Sequence, residues 1–422
     1  MKKALAFALA MTMAATSLVG CGSKKAETEA AKTTEAAKAT EKETEASKAT
    51  EKETEAAKAT EKETETKATE KATEAGVETE AATEKTKADG VYKAAFLIPG
   101  TLGDKSFWDS GNEGLTRLKE DLGEDVFDFK VEQMGGNSAD MANYEPTFLD
   151  YCESGEYDVI ITGSWQCMDA LVTAIDMYPD QKFILFDEEF DFEGNGNPDN
   201  IYNLLFKQNE VSYLVGVLGA KMTESNMLCF LGGMDGKVIN DFLVGYIQGA
   251  ADTNPDIKVA VSMVGNYEDS AKGKDLSLAM YNAGADYGFN VAGNAGLGLI
   301  EAAAETGKMA FGVDSDQAAL LPDYAANIPT SALKNVGDGL YATIQKDMAG
   351  ELNYGTTESM GFAENGVALV EDAHYEEMVP EDVRAYIDEV QQKISDGEIV
   401  VYTSADMTTD QIEELKASVA VQ

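Results

Sequence analysis

Few residues in this chain of 422 are suited to covalent chemistry. A Ser/His/Asp or Cys/His apparatus would have to run through one histidine, His374 in EDAHYEE. No nucleophile loop lies near it in sequence, so it reads as a surface histidine. Cys21, Cys152, Cys167 and Cys229 are widely spaced and form no Cys-x-x-Cys, which argues against a disulfide framework or a zinc site. The last three read as small buried apolar residues, and neither a metal nor a cofactor is expected. What remains is a set of acids and aromatics beside strand-like runs. Asp187 closes KFILFD, Asp314 lies in GVDSDQ, Phe107 and Trp108 lie in GDKSFWDS, and Trp165 follows YDVIIT. An aromatic in the first turn of a helix, at the carboxyl end of a strand, stands where open α/β sheets hold ligands. Clustered acids such as Asp314 and Asp316 keep a hydrolase in view. GNAGLG, at Gly293, has its glycines in the wrong order for a dinucleotide loop.

The elements that must position these residues alternate along the chain. Runs such as KAAFLI at Lys93, YDVIIT at Tyr157, MLCFLGG at Met227, IKVAVSMVG at Ile257, ADYGFNVAG at Ala285 and KMAFGVD at Lys308 have strand length and end in small or polar clusters. Between them lie amphipathic stretches of helix length, with starts expected near Asp104 or Ser106, Val238, Asp269 and Gly296. This alternation predicts βαβ units and parallel sheets whose strand ends line a common rim. Two open sheets, broken between Phe206 and Glu210, would face one another across a cleft.

The first ninety or so residues are of another kind. Residues 1–20 have two lysines, an apolar run and small residues before Cys21, the layout of a secretory signal. Leu18-Val19-Gly20-Cys21 resembles the lipobox of bacterial lipoproteins, which implies a diacylated Cys21 and an anchor that does not span the membrane. From 21 to 90 the chain is rich in Ala, Thr, Glu and Lys, and KATEKETEA recurs at Lys38 and Lys48 and, with a changed end, at Lys58. With almost nothing more apolar than alanine there is no face to bury, and the segment reads as a solvated tether reaching roughly 40–50 Å if flexible. Residues 91–422 are long for one core and natural for two lobes. The whole chain carries a formal charge of −43, nearly all of it beyond the tether. Such a field argues against nucleic acid and other polyanions as partners.

DKSF at Asp104, YPDQKF at Tyr178, FKQNEVSYLVGVLGAKMT at Phe206, LGGMDG at Leu231, NPDIKV at Asn254, AKGKDLSLAMYNAGAD at Ala271, AGNAGLGLIEAA at Ala292, GVDSDQ at Gly312 and SALK at Ser331 resemble, in this order, the basic membrane protein family. Its members are lipoprotein substrate-binding components of ABC importers, and the best understood bind purine nucleosides. The resemblance implies a type I periplasmic-binding fold, two α/β lobes that close over a ligand. Lobe one would be about 91–205 and 335–360, and lobe two 206–334 and 361–422. It also implies a permease and an ATPase as partners, and an extracytoplasmic, membrane-anchored location. A monomer is the expected state.

In that family two aromatics sandwich the base, and the corresponding residues here are Phe107 and Tyr267. On the ribose side the resemblance points to Asp314, Lys334 and Gly293; Asp187 and Trp165 are placed to reach the cleft from lobe one. Two positions depart from the pattern. An asparagine is replaced by Trp108 and an aspartate by Ile98; both usual residues read the purine edge, which an indole donor and an alkyl group cannot do in the same way. A sugar or another small polar ligand therefore stays open beside a nucleoside, as does a sensory surface lipoprotein on the same fold.

Overall fold

The computed structural model describes residues 90–421. The signal, Cys21 and the tether therefore lie outside the described residues. Among the described residues twelve strands form two sheets. They are β1 (Tyr92–Ile98), β2 (Phe127–Gln133), β3 (Val159–Gly163), β4 (Lys182–Phe186), β5 (Ile201–Phe206), β6 (Met227–Gly232), β7 (Lys258–Met263), β8 (Tyr287–Val291), β9 (Met309–Asp314), β10 (Ser331–Lys334), β11 (Thr356–Met360) and β12 (Val367–Leu369). The first sheet runs β11-β5-β4-β3-β1-β2 and is wholly parallel. The second runs β12-β10-β9-β8-β6-β7 and is parallel except for the antiparallel β10–β12 edge. This is the type I periplasmic-binding architecture.

Parallel neighbours need crossovers, and helices supply them. The helices that matter for the site are α1 (Phe107–Leu122) after β1, α2 (Tyr144–Ser154) after β2, α3 (Met168–Met177) after β3, α4 (Gln208–Met222) after β5, α5 (Lys237–Thr253) after β6, α6 (Ser270–Asn282) after β7 and α7 (Leu297–Thr306) after β8. The starts of α5, α6 and α7 fall within one residue of the expected positions. At α1, Ser106 occupies the N-cap position but its side chain caps nothing. Asp104 does that work, its carboxylate accepting from the backbone amides of Ser106, Trp108 and Asp109. Leu115 and Leu118 then turn inward and are fully buried.

The chain crosses between the sheets three times, at 206–208, 334–336 and 360–367. The crossovers are tied together: Lys207 N donates to Met360 O at 2.9 Å and Asn335 N to Gly366 O at 2.9 Å. The helix following the second crossover (Val336–Met348) packs against α1 so closely that a Cβ on Gly114 would strike the backbone of Gly337. After β12, a helix at Glu381–Ser395 packs on α4, and the segment beyond it is sewn to the second lobe by Tyr402, whose amide donates to Gln248 and whose carbonyl accepts from Asn209.

In each sheet the chain starts at an interior strand, adds the next on one side and the third on the other. The sheets reverse direction between β1 and β3 and between β6 and β8. Ligands of open α/β sheets bind at such switch points, beyond the carboxyl ends of the strands. The segments that follow those four strands carry Phe107, Trp165, Lys237 and Gly293, Phe107 and Lys237 as the first residues of α1 and α5.

Candidate functional site

The two switch points face one another across a cavity of about 120 Å³. Phe107, Trp108, Asp187, Tyr267, Gly293, Asp314 and Lys334 all line it, and so does Trp165, which is 43% exposed at its lip. Ile98 does not; its side chain is wholly buried in the core. His374, expected at the surface, is half-buried and is not among the residues that line this cavity, its Nε2 3.0 Å from the carbonyls of Ala325 and Ile328. Carbonyls only accept, so Nε2 carries the proton. Cys152, Cys167 and Cys229 are buried free thiols. Among the described residues no group of His, Cys, Asp and Glu is arranged to hold a metal.

Lys334, the last residue of β10, is the hub. Its Nζ lies 2.8 Å from Asp187 Oδ2 and 3.8 Å from Asp314 Oδ1. It also stands 4.6 Å from the centre of the Phe107 ring and 5.3 Å from that of Phe242. The lysine's hydrogen-bonded partner is thus Asp187 on the opposite lobe; Asp314, which the resemblance places on the same side of the ligand as the lysine, is held at a distance too long for a hydrogen bond. Instead Asp314 Oδ2 accepts from Ser106 Oγ at 2.6 Å, also across the cleft. Ser315 Oγ reaches Ser106 O at 3.2 Å and Lys237 Nζ reaches Glu189 at 2.9 Å, so side chains from both lobes interlock around the cavity.

Asp187 follows β4 directly and Asp314 ends β9, equivalent strands of the two sheets, and both have left-handed backbones, with φ of 60° and 62°. Aspartate tolerates that region better than most residues, and the bend turns both carboxyls toward the cleft. Each keeps one oxygen, Oδ1, buried without a hydrogen-bond partner. An orphaned buried acceptor of this kind costs about 1–3 kcal/mol, which a ligand hydroxyl or N–H can recover. Burial pushes the Asp187 carboxyl up to about 6, against the pull of Lys334 and with help from Asp314 and Asp241. Glu188 beside it is pushed up to about 7, by burial and then by Asp187.

The aromatic walls are built differently in the two lobes. Phe107 packs 4.6 Å from Trp108 and 5.4 Å from Phe186, ring centre to ring centre, in a cluster fixed by the core of the first lobe. Tyr267 sits on the loop between β7 and α6, its carbonyl accepting from Ala295 N at 2.8 Å. Gly233 gives its ring room, since a Cβ there would run into it. Gly293, at φ 54°, takes the left-handed backbone that favours glycine beside Tyr267; a Cβ there would meet that residue only at ordinary contact distance.

Ser106, Glu188, Phe242, Glu268 and Asn294 also line or brace the cavity and were not singled out from sequence. Ser106 sits inside the DKSF motif, and Glu188 follows Asp187 directly; those adjacencies were the available signals. Phe242 reads as an ordinary core position of α5.

A cleft between two parallel-sheet lobes, lined by aromatics and inward-turned acids, is the geometry of a solute-binding protein. Residues 91–405 match the sequence profile of the family described as Bmp, ABC transporter substrate-binding protein PnrA-like. The chain belongs to this family. Among its relatives, basic membrane protein A of Borreliella burgdorferi is 30% identical over 319 residues, 73% of this chain and 87% of the relative. A solute-binding protein of an ABC transporter system from Aeropyrum pernix superposes with a TM-score of 0.68 at 25% identity, covering 78% of this chain and 98% of that one. Another, from Conexibacter woesei, gives 0.60 at 20% identity over 74% and 99%, a likeness of fold. As a Bmp-family member the protein is a substrate-binding component of an ABC transporter, which implies a small-molecule ligand and permease and ATPase partners. Among the described residues no helix is long and apolar enough to cross a membrane.

Proposed function

We propose that this Bmp-family protein captures a nucleoside, a purine nucleoside first, between its lobes and presents it to the permease while tethered to the membrane by a lipid on Cys21. The observation that carries the ligand reading is the meeting, in one cavity, of Phe107 and Tyr267 with two buried carboxylates, each with an unpartnered oxygen, held around one lysine. Aromatic faces suit a planar base, and ionised acceptors suit vicinal ribose hydroxyls. The lobes bind the ligand without transforming it, and closure is favourable because both rims touch it.

One observation favours a second reading, a free sugar or another small polar solute. With Ile98 in the core and Trp108 packed against Phe107, neither position offers the carboxylate or amide that would read a purine edge. Mass spectrometry of small molecules released from freshly purified, denatured protein separates the two. A nucleoside supports the reading; a free sugar overturns it.

A further inference from the structure

A second cavity, of about 640 Å³, lies beside the cleft at the crossover 206–208. Both lobes and the C-terminal segment wall it. Its sides are apolar at Leu205, Phe206, Val238, Ile399 and Val401. Acids stand among them: Glu188 and Glu189 from the first lobe, Glu210 and Asp241 from the second, and Asp406 from the C-terminal segment. Two lysines share the wall, and each already faces an acid: Lys207 Nζ lies 3.7 Å from Glu210 and Lys237 Nζ 2.9 Å from Glu189.

Inside this wall the buried hydrogen bonding is incomplete on the acceptor side. Asp241 is fully used, with Oδ1 taking the Thr403 hydroxyl at 2.7 Å and the Ser404 amide at 2.9 Å, and Oδ2 taking Gln208 Nε2 at 2.9 Å. Gln208 is only 6% exposed, and its own carboxamide oxygen has no donor. The wall thus has an orphaned acceptor, more negative charge than its lysines offset, and hydrocarbon between the charges. A ligand suited to it donates hydrogen bonds, is positive and carries methylenes. A metal ion fits poorly, because among the described residues no group of His, Cys, Asp and Glu is arranged to hold one.

We propose that this cavity binds an aliphatic amine cation, a diamine or polyamine, with its ammonium groups among the acids and its methylenes against the apolar sides. Burial holds Glu188 up at about 7, so a cation beside it offsets charge that the protein itself leaves poorly compensated. Glu188 and Lys237 line both cavities, and both lobes form the wall. The amine therefore favours the arrangement of lobes that also encloses the cleft. By linkage it must tighten binding of the cleft ligand by the same factor as that ligand tightens amine binding.

The test is calorimetric titration of the full chain with spermidine, with magnesium chloride and sodium chloride as controls at matched ionic strength. Saturable one-site binding of spermidine is expected. Exposed Asp406→Asn should weaken it several-fold, and Glu210→Gln with Asp406→Asn about tenfold, while the thermal midpoint stays unchanged. Absence of a saturable site overturns the proposal. So does binding that the variants leave unchanged, which would be adsorption to the acidic surface, or magnesium competing as well as spermidine, which would be an ion atmosphere.

Discussion

Replacing Asp314 by alanine removes the acceptor that the second lobe offers to a ligand, and the structure sets the size of the effect. Its Oδ1 has no hydrogen-bond partner and stands 3.8 Å from Lys334, while Oδ2 is engaged by Ser106. A hydrogen bond to an ionised group is worth about 1.5–3 kcal/mol, so affinity for a ribonucleoside should fall on the order of tenfold to a few hundredfold. Lys334 keeps Asp187 at 2.8 Å, so no buried cation is orphaned by the change. Two side effects have to be separated from this. Alanine at φ 62° is strained by about 1–2 kcal/mol, which lowers the thermal midpoint, and the link to Ser106 is lost. Asp314→Asn tolerates the backbone and keeps an acceptor without the charge, so it should lose roughly tenfold or less with little change in stability. Isothermal titration with guanosine and with guanine reads both effects; the free base should bind weakly to the wild type and be little affected. If Asp314→Ala binds guanosine as tightly as the wild type does, the acceptor role assigned to this carboxylate is wrong.

Phe107→Ala removes one stacking face and the ring beside Lys334, and should weaken both nucleoside and free base by about ten- to a hundredfold in the same titration. Glu188→Gln should flatten the dependence of thermal midpoint on pH. The folded carboxyl sits at about 7 against 4.5 when unperturbed, so the folded state binds a proton that the unfolded state has lost; stability is full below about 4.5 and falls as pH rises through 7, and a wild-type-like profile in the variant would count against it. Cys21→Ser should free the protein from membranes; a variant that still pellets and resists a salt wash refutes the anchor. A chain starting at Asp89 should bind ligand as the full protein does, and a tenfold loss, about 1.4 kcal/mol, would show that the tether contributes.

Much of the architecture is legible in the sequence because parallel strands buried on both faces are nearly continuous apolar runs, as in KFILF and MLCFLG. Two of the edge strands are not. β2 (FDFKVEQ) mixes charges with apolar residues, and β11 (TTESM) has almost no apolar side to recognise; each is a strand only because a neighbour offers a ladder. The same division runs through the site. Phe107, Asp187, Asp314 and Lys334 are visible because they punctuate strands or open helices, or lie in family motifs. Their pairing is not visible. That Lys334 turns to Asp187 and Asp314 to Ser106 depends on contacts between residues 147 and 208 positions apart, made only when two sheets face each other. His374 reads only as a surface residue for a similar reason: the carbonyls that hold its ring come from a segment nearly fifty residues earlier.

Lys334 is both the residue that gathers the cleft acids and the last residue before the crossover at 334–336. On the proposed binding mode the grip on the ligand and the pivot are thus one piece of backbone. Because α1 meets Val336–Met348 backbone to backbone at Gly114 and Gly337, the first lobe has little slack with which to absorb a poor fit. A misfit at the lysine is then carried into the angle between the lobes. On the proposed binding mode solute size should become a rotation, which interlobe distance measurements on a series of ligands would record as a graded angle.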